Sequence, residues 1–364
     1  MPTDGCPGIP SLDRVRDSPT LERAVRHLDA LLHHRIPSIG RSGCSGEHVD
    51  NRSVHDGLDA PPWFLRNAPS LLGSRLEEDA FANPVLTATD VTDYGDVNYV
   101  ADPFLILDPV RWCLYFEVFN PDRDPTAVVG RATSHDCGQS WEYDGIVLNP
   151  GVHVSFPYVF RHDGSVYMTP NLDPDDDTGV VTLYRADGAN GTFREHLKLA
   201  DPPGRPTDRV VFHHGERWWL FVAVAAADVE LHVYHSDSLT KPSWTPHDGN
   251  PVTVDEPRIP GGRPIVINDR VITFVQDGDN YYGECVRAVE ITRLSPTVYE
   301  DRSFRNEQIV APADSALGWN TGRMHTFDPW YTGDRWVCAV DGDTGLGSSL
   351  VGPHWSIGLY VAPG

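Results

Sequence analysis

Twelve polar or aromatic residues sit in five short segments that read DVNYVAD, PGVHVSF, PGRPTD, DEPRIPGGR and WNTGRMHTFD. They are Asn98, Asp102, His153, Arg205, Asp208, Glu256, Arg258, Arg263, Trp319, Arg323, His325 and Asp328. Carboxylates, guanidiniums, histidines and an aromatic ring together suit a polyol or an anionic sugar. The arginines 205, 258, 263 and 323 could equally clamp a phosphorylated or nucleotide ligand. Glu117 joins the candidates from inside the apolar run RWCLYFEVF, where a carboxylate needs a buried partner. These residues are far apart in the chain, so a chemical role for them requires a fold that gathers the five segments.

The chain supplies such a fold by repeating itself. Helical periodicity fades after residue 80, and short apolar runs separated by turn residues take over. Five units share one layout of strand, tight polar turn, second strand and third strand. The first strands contain ADPFLIL, SFPYVF, TDRVVF, GRPIVI and FDPWY. Equivalent positions in them are Asp102, Phe156, Asp208, Arg263 and Asp328, spaced by 54, 52, 55 and 65 residues. A fourth strand fits each gap, at GIVLNP, LKLAD, NPVTV and EQIVAP. Four-stranded units of this length are propeller blades. The expected fold is therefore all-β, a five-bladed β-propeller over 81–364 in which the five segments converge on a central funnel. The last unit ends after its third strand, and ANPVLTATD at 82–90 is the expected closing strand.

Residues 1–80 read as an N-terminal extension packed on the propeller. Ser18 as N-cap, Pro19 in the first turn and Leu21, Val25, Leu28 and Leu32 on one face predict a helix, and a second short one is expected around 69–79. His27, His33 and His34 read as surface histidines of the first helix rather than metal ligands.

Composition narrows the functional classes. Lys and Arg total 29 against 52 Asp and Glu, a formal net charge of -23. Such a surface repels phosphate backbones, so no nucleic-acid partner is expected. Asp outnumbers Glu 38 to 14, and Arg outnumbers Lys 27 to 2. That balance suggests adaptation to concentrated salt, with a GC-rich genome as the alternative explanation. No apolar run reaches the roughly 18 residues of a membrane span. The first residues lack the pattern of a secretory signal, which predicts a cytoplasmic protein with mostly reduced thiols.

The stretches ADPFLI, YFEVF, HVSFPYVF, RWWLF, HSDSL, PGGRP and MHTFDPW resemble the five-bladed propellers of glycoside hydrolase family 43 and of families 32, 62, 68 and 130. A nearer resemblance is to the propeller at the N-terminus of glucosamine inositolphosphorylceramide transferases. It covers about residues 82–364 and implies a glycan-active protein that hydrolyses or transfers a glycosyl group. The alternative is a non-catalytic carbohydrate-binding propeller that serves a separate glycosyltransferase. Through the family 43 pattern, Asp102 would be the base and Asp208 the carboxylate that orients and tunes. The acid expected at the fourth ring position is replaced by Arg263, which leaves Glu117 and Glu256 as candidates. His325 resembles a fifth-blade histidine that helps hold calcium in the channel; no other cofactor is expected. The remaining polar residues of the five segments would contact the ligand.

Two further motifs read as structural. Ser134-His135-Asp136-Cys137-Gly138-Gln139-Ser140-Trp141 fits the Asp-box of sialidases, S-x-D-x-G-x-S/T-W, which stitches a hairpin turn. The acidic run from Asp173 to Asp177 reads as a solvated loop rather than a calcium site.

Overall fold

The computed structural model describes residues 64–65, 71–72 and 74–364, apart from 109, 174–178, 189–190, 226–227, 243, 254–257, 279, 316 and 346–353. The helix expected after Ser18, most of the acidic run and Glu256 lie outside the described residues.

Five antiparallel sheets ring a central axis as a five-bladed propeller. A two-residue strand, β1 (Phe64–Leu65), precedes them. Blade 1 comprises β2 (Tyr99–Leu107), β3 (Trp112–Phe119), β4 (Ala127–Ser134) and β5 (Glu142–Leu148). Blade 2 comprises β6 (His153–His162), β7 (Ser165–Asp173), β8 (Val181–Asp187) and β9 (Thr192–Ala200). Blade 3 runs through β10 (Arg205–His214), β11 (Arg217–Ala225), β12 (Val229–Ser236) and β13 (Thr245–Pro246). Blade 4 holds β14 (Ile265–Ile267), β15 (Arg270–Asp277), β16 (Cys285–Ser295) and β17 (Val298–Val310), with β1 pairing in parallel to β14. Blade 5 holds β18 (Phe327–Tyr331), β19 (Arg335–Asp343) and β20 (Trp355–Pro363).

The second strand of each blade is covered on both faces by its neighbours. That is why β3, β11 and β19 are near-continuous apolar runs, buried along almost their whole length, instead of alternating. Residues 77–86 lie against the free edge of β20. Glu77 bridges Val361 and Leu86 bridges Ile357, both antiparallel. Between them the Asn83 side-chain amide donates to Leu359 O at 2.8 Å and its carbonyl accepts from Leu359 N at 2.8 Å. The helix expected around 69–79 is absent from the described residues there. Residues 74–77 run irregularly into the Glu77 bridge, and Leu71 packs with Ile265, Ile267 and Trp336 of blades 4 and 5.

The first three blades share an irregularity that shapes the funnel. The register of each first strand slips by a bulge between Ala101 and Phe104, between Ser155 and Tyr158, and between Pro206 and Arg209. Asp102 and Phe156, each followed by proline, adopt left-handed φ values of 53° and 45°. No bulge interrupts the pairing of β14 or β18.

Polar side chains stitch the blades together. Phe156 N donates to Asp102 Oδ2 at 2.8 Å between blades 2 and 1, and Arg209 Nη2 donates to Asn171 Oδ1 at 2.6 Å between blades 3 and 2. Gln276 Nε2 reaches Asp208 Oδ2 at 2.5 Å from blade 4 to blade 3. Arg263 Nε meets Asp328 Oδ1 at 2.6 Å, and Leu105 N donates to Asp328 Oδ2 at 2.6 Å, so blades 4, 5 and 1 are linked through one carboxylate.

The Asp-box behaves as a local stitch. Ser134 Oγ donates to Asp136 Oδ1 at 2.8 Å and accepts from Gly138 N at 2.8 Å, while Ser140 N donates to Asp136 Oδ1 at 2.8 Å. Trp141 packs beneath and donates Nε1 to Gly138 O at 3.2 Å. Cys137, in the same turn, is disulfide-bonded, whereas Cys113, Cys285 and Cys338 are buried free thiols. Among the described residues no helix is long and apolar enough to cross a membrane.

Candidate active site

The bulges of blades 1 and 3 bring Asp102 and Asp208 to the upper part of the channel. There they meet Glu117 from β3 and His325 from the segment before β18. Asp102 is 4% exposed, and its carboxylate is heavily engaged. Besides Phe156 N, it accepts from Thr326 Oγ1 at 3.1 Å, and His325 Nε2 lies 3.2 Å from Oδ1. Burial alone would raise its pKa. The hydrogen bond and charge of His325, with the donors from Phe156 and Thr326, outweigh that and hold it below the ordinary carboxylate value.

His325 stands between two carboxylates, with Nδ1 2.8 Å from Asp341 Oδ2. Asp341 in turn accepts from the backbone N–H of His325 and Thr326, each at 3.0 Å, and from Asp102 N at 3.2 Å. Burial opposes the imidazolium, but Asp341 and Asp102 together raise its pKa well above the usual histidine value. The positive charge at the centre of the channel is therefore the histidine's own.

Glu117 is 5% exposed and faces Asp102, the Tyr99 hydroxyl and, at 3.8 Å, His153 Nε2. Burial and the Asp102 charge raise its pKa well above the ordinary value, which favours the neutral acid. Asp208 is half-buried. Burial and the charge of Asp102 push it up to about 7, against the opposing effects of His325, Gln276 and Arg209. The three carboxyl groups are thus pushed apart: Asp102 downward, Glu117 well upward and Asp208 up to about 7.

The other residues singled out from the sequence divide in two. His153 stands beside Glu117, with Thr126 Oγ1 2.8 Å from its Nδ1, and burial lowers its pKa. Half-buried Asn98 lies at the entrance to β2, donating its backbone N–H to Phe119 O at 2.9 Å. Arg323 pairs with Asp343 at 2.5 Å and lies over the Trp355 ring, 5.1 Å from its centroid.

Five residues are placed away from this cluster. Arg263 and Asp328, expected to grip a ligand, are both 0% exposed. The Arg263 guanidinium is held between the rings of Tyr158 and Trp330, at 5.3 and 4.7 Å, in the wall of the propeller. Asp328 lies in β18, whose pairing has no bulge of the kind found at Asp102 and Asp208, and Arg263 stands just ahead of β14. Trp319 is buried against Tyr360 in blade 5. Arg258 is tied to Asp301 by two contacts of 3.1 Å and lines a small cleft between blades 3 and 4 that contains none of the carboxyls. Arg205 is exposed and paired with Asp173.

Asp102, His325 and Asp341 also fit poorly with a resident calcium ion, although their ligand atoms lie within 4.8 Å of one another. Calcium takes six to eight oxygens. Here the carboxylate oxygens already accept from the N–H and O–H groups of Phe156, His325, Thr326 and Asp102, and the cluster offers only two carboxylates.

Asp341, Tyr99 and Gln276 were not singled out from the sequence, yet they fix the cluster. A signal for two of them was present. Glu117, Asn171, Gln276 and Asp341 are each the sixth residue of the runs WCLYFE, VYMTPN, VITFVQ and WVCAVD. A polar residue thus recurs at one step of four second strands, with Ala223 in the fifth.

The profile of the glucosamine inositolphosphorylceramide transferase 1 N-terminal region matches residues 75–343. The chain belongs to that family. Glucosamine inositolphosphorylceramide transferase 1 of Arabidopsis thaliana is 28% identical over 327 residues, covering 84% of this chain and 42% of the relative. The protein of the same name from Oryza sativa subsp. japonica is 29% identical over 323 residues, covering 85% and 42%. The chain therefore spans about two fifths of the length of these relatives.

Similar solved structures include a thermostable family-43 glycoside hydrolase, with a TM-score of 0.56 and 14% identity over 74% of this chain and 91% of the other. The catalytic domain of the Coprinopsis cinerea GH62 α-L-arabinofuranosidase aligns with a TM-score of 0.58 and 13% identity, covering 79% and 97%. These structures share the fold.

Proposed function

We propose that the funnel binds a glycan or glycoconjugate and acts on a glycosidic linkage, with Glu117 as general acid and Asp208 as general base. The observation that carries this reading is the gathering of Asp102, Glu117 and Asp208 around His325 in surroundings that push their pKa values apart, the condition under which one site runs acid and base chemistry. Hydrolysis requires a base to take a proton from water as its oxygen adds to the anomeric carbon. It also requires an acid to protonate the leaving oxygen as the glycosidic bond breaks. For transfer, an acceptor hydroxyl replaces the water.

Asp102 resembles the family 43 base by position, but its donors from Phe156, Thr326 and His325 leave it poorly free to accept another proton. Its role in this scheme is a fixed negative charge. It keeps Glu117 protonated and opposes the positive charge that develops on the sugar ring. The relatives' name supports a glycoconjugate ligand, and the hydrolase-like fold supports chemistry on it.

One observation favours the second reading, a carbohydrate-binding propeller that serves a separate transferase. Glu117 and Asp102 are neighbours, whereas acid and base in a glycosidase stand apart, about 5–9.5 Å, with the sugar between them. The acid and base proposed here come from different blades, which meets that requirement only if Asp208 is the partner. Turnover of p-nitrophenyl glycosides by the intact chain separates the readings. Catalysis requires a pH profile that rises through about 7 in the wild type, and loses that limb in Asp208→Asn. It also requires Glu117→Gln to be rescued by the activated leaving group, with Glu256→Gln unaffected. Saccharide binding without turnover would establish the binding module instead.

A further inference from the structure

Tyr282 is an exposed aromatic residue beside the buried charge cluster around His325. It is 56% exposed, and its neighbour Tyr281 is 48% exposed. Both lie between β15 and β16, on the funnel side of blade 4. The Tyr282 ring meets His325 edge-on at 5.0 Å and Trp355 at 6.2 Å, while His325 and Trp355 are 4.5 Å apart. Its hydroxyl feels the charges of Asp102, Asp208, Asp341 and Glu117.

The segment is held in place. Gly283 O accepts from Met324 N at 2.8 Å, and Gly283 takes φ 77° where a Cβ would come within 2.8 Å of Arg323 Cβ. Asn280 Nδ2 donates to Glu284 at 2.8 and 2.9 Å. A large ring anchored on one edge and open to solvent contributes less to folding than a buried one. Its open surface is the kind that the C–H face of a sugar or cyclitol ring packs against.

We propose that Tyr282 is the stacking platform of the funnel, positioning a pyranose or cyclitol ring beside His325 and the carboxyl groups around it. This rests on the glycan reading of the funnel. It names a residue that neither the family resemblance nor the repeat pattern marks.

The test uses the full chain as wild type, Tyr282→Phe, Tyr282→Ala and Tyr281→Ala. Each is probed by saturation-transfer NMR with glucosamine, myo-inositol and methyl α-L-arabinofuranoside, and melted alongside. Tyr282→Ala is expected to bind the recognised probe at least tenfold more weakly. Tyr282→Phe keeps the ring, so its binding should stay within threefold of wild type. A merely structural role would not weaken binding in Tyr282→Ala while leaving the melting temperature intact and binding in Tyr282→Phe unchanged.

If Tyr282→Ala binds like wild type, or if Tyr281→Ala alone weakens binding, the platform is overturned and the glycan reading stands. If wild type binds none of the three probes, the glycan reading falls and takes the platform with it.

Discussion

At the scale of single residues, what separates Asp208 from Asp328 is the path of the backbone. Both occupy the same step of a first strand. Asp208 lies in a bulge and reaches the funnel, whereas Asp328 lies in a regular strand and is enclosed with Arg263. Spacing placed Asp102, Asp208, Arg263 and Asp328 on one ring but gave no sign of which way each would turn. The bulge depends on pairing with the second strand, which a single run of residues does not display. Asp341 was missed for a related reason: a lone Asp in WVCAVDG is ambiguous until it is aligned with Glu117 and Gln276.

Two predictions belong to this scale. Removing the guanidinium in Arg263→Met leaves Asp328 buried without its cation, so denaturant unfolding should show a loss of about 3–5 kcal/mol. The second concerns Asp208, whose pKa rises from an unfolded value of 3.8 to about 7 on folding. A raised folded pKa means that the neutral group's contribution to stability is complete below 3.8 and is lost as pH climbs through 7. Asp208→Asn should therefore melt like wild type near pH 4 and above it at pH 8. Equal melting temperatures at both pH values would show that Asp208 is not perturbed.

At the scale of elements, the four-strand rhythm was legible because turn residues and apolar runs recur at fixed intervals, each strong enough to be read locally. The segment against β20 was legible by subtraction, since one blade lacked a strand. Its actual form was not. Residues 77–86 make two isolated bridges separated by an asparagine that substitutes its amide for a backbone pairing. Asn83 is therefore the closure's polar clasp. Asn83→Ala deletes both bonds to Leu359 and should cost about 1–2 kcal/mol, with each bond worth about 1. Hydrogen exchange should quicken first in β20, because its edge opens before the rest of the ring. If exchange in β20 is unchanged, the clasp contributes nothing and the two bridges suffice.

At the scale of the whole molecule, the -23 net charge and the exposed ion pairs respond to salt in opposite ways. Buried links such as Arg263 with Asp328 are shielded from solvent and feel salt little. Exposed pairs such as Arg293 with Glu300, 2.6 Å apart, are worth about 0–1 kcal/mol each and weaken as salt rises. Against those small losses stands the repulsion among 52 acidic side chains faced by 29 basic ones. At about 0.01 M salt this repulsion extends roughly 30 Å, across much of the molecule, and at 1 M only about 3 Å. The long-range excess of like charge should win, so the melting temperature should climb between low-millimolar and molar potassium chloride. Potassium sulfate at equal ionic strength should add a further increase, because sulfate also strengthens apolar burial. A melting temperature that falls or stays flat in potassium chloride would mean that local ion pairs offset the net charge. The Asp-rich, Lys-poor composition would then reflect codon usage rather than adaptation to salt.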